Sequence, residues 1–282
     1  MLASLIVVFR EMLEAGLIVG IVLAATQGIA RRGRWIAGGV AAGVLGAMVV
    51  AAFAGALENA FEGNGQDLFN VGVLLIAVVM LSWHILWMSS HGRQMAQEMK
   101  ALGADVRAGR RSLMAMGVVV ALAVLREGSE VVLFLAGIAA SAHVDLPAMA
   151  SGAALGMLGG AAVSWLLYRG LLTIPVRYLF STTGALIALL AAGMAGQAAA
   201  ILAADGYIPT WGDGLWDTSW LLPQASLAGR TAQVLFGYAE RPMGVQLAAY
   251  LAVLAALLLT SRAINRAPRR TAPGRQAGTQ AG

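Results

Sequence analysis

Cysteine is absent from the 282 residues, and lysine occurs once, at Lys100. Without thiols the chain can form neither disulfides nor thiolate metal sites. Charge of either sign is scarce: Asp, Glu, Lys and Arg together make up 12% of the chain, against roughly a quarter in soluble domains. Histidine occurs three times. A soluble enzyme surface cannot be built from so little charge. Apolar residues make up 59%, and the mean hydropathy is +0.77. The composition is that of a polytopic, all-α membrane protein whose partner is the lipid bilayer.

The isoelectric point near 10.2 invites a nucleic-acid reading, which the placement of the basic residues rejects. Seven runs reach the roughly 20 residues needed to span a bilayer, at about 2–30, 36–57, 68–89, 113–140, 148–168, 180–203 and 243–262. Arg31, Arg32 and Arg34 follow the first run; Arg93, Lys100, Arg107, Arg110 and Arg111 the third; Arg169 and Arg177 the fifth. Arg262, Arg266, Arg269, Arg270 and Arg275 lie at the end of the seventh or beyond it. The alternate connections hold only Arg230 and Arg241, together with most of the acids. This positive-inside bias puts the N-terminus outside and the C-terminus in the cytoplasm, and in a bacterial chain the membrane is the inner one. The first run has no basic leader and is interrupted by Glu11 and Glu14, so it reads as a retained helix rather than a signal peptide. Residues 1–265 form a single transmembrane domain, and 266–282 a disordered basic tail.

Two of the apolar runs carry charge where it is most costly. Leu125-Arg126-Glu127-Gly128-Ser129-Glu130-Val131 lies inside the fourth, and Arg10-Glu11-Met12-Leu13-Glu14 inside the first. The charges have the same order in both, 116 positions apart. An ionisable cluster at bilayer depth marks a functional site by default. With the copies three runs apart, the first and fourth cross in opposite directions. Runs one to three and four to six then form an inverted repeat with the seventh left over, an arrangement that places substrate near the midplane.

On a helix, residues three and four apart share a face, so Glu11 pairs with Glu14 and Glu127 with Glu130. Arg10 can bridge to Glu14, and Arg126 to Glu130. Where the two helices meet, four carboxylates and two guanidiniums converge with a nominal charge of minus two. Carboxylate oxygens suit hard cations such as magnesium, calcium, manganese and iron. Two buried pairs that merely fix helix register are the bland alternative, but two carboxylates per arginine exceed what pairing needs. Glu58, Glu62 and Asp67 form an outer acidic loop that could draw cations to the mouth, although a solvated loop explains them as well. The roles of His84, His143 and Gln197 stay open: either histidine could touch a metal ion, although lone histidines usually do not, and a glutamine in an apolar helix more often hydrogen-bonds a neighbouring helix than lines a path. Gly16 and Gly20, Gly39 and Gly43, and Gly152, Gly156 and Gly160 are close-packing signals. The stretch from Ala204 to Pro242, with Trp211, Trp216 and Trp220, reads as an irregular interfacial loop.

The doubled Arg-Glu-x-x-Glu motif in the first and fourth of seven helices resembles the oxidase-dependent iron permeases, fungal and bacterial. The likeness extends to Trp87-Met88, to Leu190-Ala191-Ala192-Gly193-Met194, and to Gly237-Tyr238, Pro242, Gln246 and Tyr250. It implies high-affinity iron uptake into the cell, with Glu11, Glu14, Glu127 and Glu130 as ligands and Arg10 and Arg126 as counter-charges. Iron is then substrate rather than bound cofactor. A separate periplasmic or extracellular oxidase or iron-binding protein would deliver it, and assembly into a homo-oligomer is left open. Glycine, common at the middle of the motif, is Met12 in the first copy and Gly128 in the second. Two rivals remain. One is an intramembrane di-iron oxidase, disfavoured because glutamate stands where such bundles carry histidine. The other is a proton-coupled exchanger for manganese or another divalent ion.

Overall fold

The computed structural model describes residues 1–60, 65–141, 146–170 and 176–266, and the ordered elements among them are all helical. The helices are α1 (Leu2–Ala25), α2 (Arg32–Ala60), α3 (Gln66–Arg107), α4 (Leu113–Ser141), α5 (Leu146–Tyr168), α6 (Val176–Ala204), α7 (Leu227–Phe236) and α8 (Gly244–Arg266). Within α2, α3, α5, α6 and α8 lie segments long and apolar enough to cross a membrane. α1 and α4 are 24 and 29 residues long and carry the two charged motifs. The protein is a multi-pass membrane protein. Its outward faces carry large apolar side chains, among them Val49 and Phe53 on α2, Val79 and Trp83 on α3 and Leu158 on α5. Lipid-facing helices are expected to look this way, because lipid tails impose no cost on exposed leucine or phenylalanine.

Small residues decide which helices touch. Along α5, a Cβ on Gly152 would strike the main chain of Met1, one on Gly156 the main chain of Leu5 and Phe9, and one on Gly160 that of Phe9. Contacts advance together along both helices, so α1 and α5 run parallel. Along α2, Gly39 sits against the carbonyl of Gly117, Gly43 against that of Ala121, and Gly46 against Leu125. α2 and α4 therefore also run parallel. Backbones this close gain dispersion contact that lipid cannot supply. The middle motif residues take part: Met12 lies over Gly160 of α5, and Gly128 lies under Ala47 of α2. Large meets small at one crossing and small meets small at the other, so methionine in the first copy costs nothing.

α3 and α6 fill the centre. Val7 of α1, Leu74 and Leu81 of α3, Phe134 and Ile138 of α4, and Ile187 and Met194 of α6 form the main core. α8 packs on α6, where Gly196 approaches the carbonyl of Gln246.

Several expected boundaries move. The first helix ends at Ala25 rather than near 30: Thr26 returns its hydroxyl to the carbonyl of Val22 at 2.7 Å, and Arg31 has a left-handed φ of 63°. α3 runs 42 residues, well past the apolar stretch that ends near 89. Leu102 and Val106 on its polar half pack with Val22, Ile36 and Met116 into a second core, and Arg107 donates to the carbonyl of Gln27. The stretch from Ala204 to Pro242 is not wholly irregular, since it holds α7. Ser226 caps that helix by accepting from the amide of Gly229 at 3.0 Å, and Gly237, at φ 68°, ends it. The expected tail lies beyond the described residues except for Arg266, the last residue of α8.

Candidate metal centre

α1 and α4 bring their charged motifs together, and α3 inserts a third contributor between them. From α1 come Arg10, Glu11 and Glu14; from α4 come Arg126, Glu127 and Glu130; from α3 comes His84. Arg10 Nη1 reaches Glu11 Oε1 at 3.0 Å, and Nη2 reaches Glu14 Oε1 at 2.9 Å. One planar fork thus holds both carboxylates of its own helix. Arg126 Nε donates to Glu130 Oε1 at 3.0 Å and stands 4.0 Å from Glu127 Oε1. The expected i, i+4 pairs are both present.

His84 joins the two halves. Its Nε2 lies 3.3 Å from Glu14 Oε1, and its Nδ1 meets Glu130 Oε2. The ring is 2% exposed, so it contacts nothing but protein. One ligand atom each from Glu11, His84, Glu127 and Glu130 can be chosen so that all lie within 4.8 Å of one another, and all four residues are buried. Three carboxylates and one imidazole therefore surround a point the size of one ion. Glu14 is not in that set, and its Oε1 is engaged by Arg10 and His84 instead. Four glutamates were expected as ligands with His84 left open; the innermost group holds three of them together with His84, and Glu14 stands beside it. A signal for it existed, because His84 is ionisable and lies inside an apolar run, the same criterion that singled out the glutamates.

Five buried atoms of the cluster take no hydrogen bond among the described residues: Arg10 Nε, Glu11 Oε2, His84 Nδ1, Glu127 Oε2 and Glu130 Oε2. His84 Nδ1 and Glu130 Oε2 face each other, which leaves Glu11 Oε2 and Glu127 Oε2 as the two oxygens without a partner. Buried polar atoms nearly always find partners, and each orphan asks for an explanation. A cation between α1 and α4 supplies one. Hard carboxylate oxygens with a single imidazole nitrogen match first-row divalent ions such as iron and manganese better than thiolate-seeking metals.

The two halves are not equivalent. The Arg10 side chain is 3% exposed and that of Arg126 37%. Arg126 also lies over the ring of Trp87, 4.5 Å from its centroid, which is cation–π distance. Trp87 follows His84 by three residues and so shares its side of α3.

Other candidates stand apart. Asp67 is exposed in the first turn of α3, about 25 Å of helix from His84. Glu62, the side chain of Glu58, and His143 lie outside the described residues. Gln197 lines a separate pocket among α4, α6, α7 and α8.

An all-helical membrane protein built around a buried acidic cluster suits a cation carrier, and comparison with known proteins supplies the family. The chain belongs to the iron permease FTR1 family, whose model matches residues 1–264. It is a permease, a transporter rather than an enzyme. Among curated proteins it is similar to the ferrous iron permease EfeU of Escherichia coli O6:H1 (strain CFT073), 31% identical over 275 residues that cover 93% of this chain and 97% of that one. The proteins of the same name from Shigella sonnei (strain Ss046) and Yersinia pestis are 31% and 30% identical, covering 90% and 92% of this chain and 92% of each relative. No solved structure matches the chain.

Proposed function

We propose that the protein carries iron across the cytoplasmic membrane into the cell, with the cluster between α1, α3 and α4 as its intramembrane binding site. Glu11, Glu127, Glu130 and His84 are the ligands. Glu14 orients His84, while Arg10 and Arg126 hold the carboxylates when no ion is bound. The two buried oxygens without partners, Glu11 Oε2 and Glu127 Oε2, carry this reading.

Net charge selects the ion. Four carboxylates and two guanidiniums sum to minus two with His84 neutral, and a divalent ion brings the site to zero. A trivalent ion would leave a net positive charge at bilayer depth, where charge is costly. Ferrous iron fits, and the curated relatives carry that ion in their names. Release requires the arginines to reclaim their carboxylates, which the 2.9–3.0 Å pairs at Arg10 and Arg126 make possible without large movement.

The same proposal includes seven spans, α1 to α6 and α8. α1 and α4 are long enough to cross, and of the charges that set them apart from the five apolar spans all but Arg126 are buried against protein. Alternating crossings require α1 and α5 to point one way and α2 and α4 the other, and the parallel packing of each pair agrees. Exchanging α1–α3 with α4–α6 turns the α1–α5 contact into the α4–α2 contact, as an inverted repeat would. The arginine distribution then puts the N-terminus outside and the C-terminus in the cytoplasm. Delivery by a separate iron-binding protein outside the membrane belongs to this reading through the family resemblance; the oxidase expected with it would deliver ferric iron, which the charge argument does not favour. A di-iron oxidase is set aside because the family is one of transporters, and because the ligands gather around one ion.

Radiolabelled ferrous iron, kept reduced, tests the proposal in proteoliposomes. Saturable uptake is expected that manganese inhibits only weakly, since an oxygen- and nitrogen-donor site prefers iron over manganese. Equal transport of manganese, driven by an imposed pH gradient, would instead support the proton-coupled exchanger.

A further inference from the structure

Three stretches that the metal cluster does not use meet at one place. Gly193 and Met194 of α6, the Gly237-Tyr238 turn after α7, and Gln246 in α8 line a small, partly open pocket of about 10 Å³, room for roughly one water-sized occupant, together with Ser141 at the end of α4. Its shape is set by main chain: a Cβ on Gly193 would lie 2.9 Å from the Cα of Gly237, and one on Gly237 would lie 2.6 Å from the Cα of Gly193. Two glycines, one of them held at φ 68°, let the end of α7 rest directly on α6.

The pocket is polar but neutral. Ser141 donates to the carbonyl of Ile138 at 2.9 Å, and the Tyr238 hydroxyl donates to that of Leu222 at 2.8 Å. The side-chain amides of Gln197, Gln233 and Gln246 take no partner among the described residues. Three amide oxygens in one pocket are hard, uncharged donors, the kind that can replace part of a cation's hydration shell without binding it tightly. α4 and α7 both end at this pocket, and a helix C-terminus favours positive charge. The nearby start of α8 does not cancel this, because the amides of Gly244 and Val245 are bonded to the carbonyls of Gly212 and Thr210.

The pocket is also in line with the cluster. Ser141 is eleven residues beyond Glu130 on α4, about 16 Å along the helix. Met194 stands between them: it lines the pocket, is 1% exposed and packs on Gly137 of α4. A flexible thioether side chain can shift aside where a branched one could not.

We propose that this pocket is the outer binding station for the divalent ion, where Gln197, Gln233 and Gln246 take up part of its hydration shell before it passes Met194 to the glutamates. This rests on the iron-permease reading and on its orientation, which puts the pocket on the outer side.

Ferrous uptake kinetics in proteoliposomes test it. Gln233→Leu and Gln246→Leu each raise KM by about five-fold, the worth of one ordinary polar contact, and leave kcat within about two-fold. Gln233→Glu, which adds a carboxylate and keeps the pocket polar, lowers KM. Unchanged KM in the leucine and glutamate variants alike, or a fall in kcat alone, would overturn the station. Glu130→Gln separates this from the underlying reading: loss of transport in that variant with KM unmoved in the glutamine variants removes the station alone, whereas undiminished transport removes the buried site itself.

Discussion

Glu130→Gln should reduce iron uptake by more than about 100-fold while leaving the protein inserted and monodisperse in detergent. Glu130 Oε1 takes the Arg126 guanidinium at 3.0 Å, and Oε2 meets His84 Nδ1, so this carboxylate joins the guanidinium of α4 to the imidazole of α3. Glutamine has nearly the same volume, and the packing of α4 on α2 through Gly128 is untouched. What changes is charge. The site falls from minus two to minus one, a bound divalent ion leaves a net positive charge in the bilayer, and one anionic ligand is gone. Breaking a buried ionic arrangement on one side costs about 3–5 kcal/mol, equivalent to roughly two to nearly four orders of magnitude in occupancy. Glu98→Gln serves as control, because Glu98 lies exposed on the polar half of α3 and bonds only to exposed Gln94. Radiolabelled uptake normalised to inserted protein reads both; comparable loss in the two variants would remove the special role of the cluster.

The arginines should separate by burial. Arg10 is enclosed, with one nitrogen on Glu11 and another on Glu14. Arg10→Leu leaves Glu11 without its cation and Glu14 with His84 alone in the core, and the same roughly 3–5 kcal/mol then falls on stability, enough to prevent accumulation in the membrane. Arg10→Lys keeps the charge but cannot hold two carboxylates in one plane, so it should insert yet transport poorly. Arg126 is more than one-third exposed, so its removal leaves Glu130 with His84 and forfeits a cation–π contact worth about 1 kcal/mol. Thermal unfolding followed by size-exclusion chromatography ranks the variants. The expected order is wild type, then Arg126→Leu, then Arg10→Lys, with Arg10→Leu absent or far below; equal loss from the two leucine substitutions would contradict the asymmetry.

The convergence of the motifs was readable because charge in an apolar run is conspicuous and because two copies share one spacing. Their partners were less visible. The ladder Gly152, Gly156, Gly160 announces a close neighbour but cannot say that the neighbour is α1, since period defines a face and not what covers it. His84 was left open as a lone histidine. Its place beside the glutamates emerges only when α3 is seen between α1 and α4, although an ionisable ring within an apolar run met the criterion already applied to the glutamates.

The long end of α3 was missed for a different reason. A search for bilayer-length apolar runs stops near residue 89, whereas the following stretch is amphipathic: Met99, Leu102 and Val106 recur at helical spacing among good helix formers. α7 carried readable caps in Ser226 and Gly237, hidden by the tryptophans and prolines around them. The outer acids Glu58, Glu62 and Asp67 drew attention by charge alone, and the one that is described, Asp67, stands far from the cluster.

Iron-edge anomalous diffraction from crystals of the ferrous-loaded protein tests the central claim most directly. The account predicts one strong peak per chain at bilayer depth, within about 2.0–2.4 Å of oxygens from Glu11, Glu127 and Glu130 and a nitrogen of His84. A peak confined to the outer or cytoplasmic surface, with Arg10 and Arg126 still paired to undisturbed carboxylates, would contradict it.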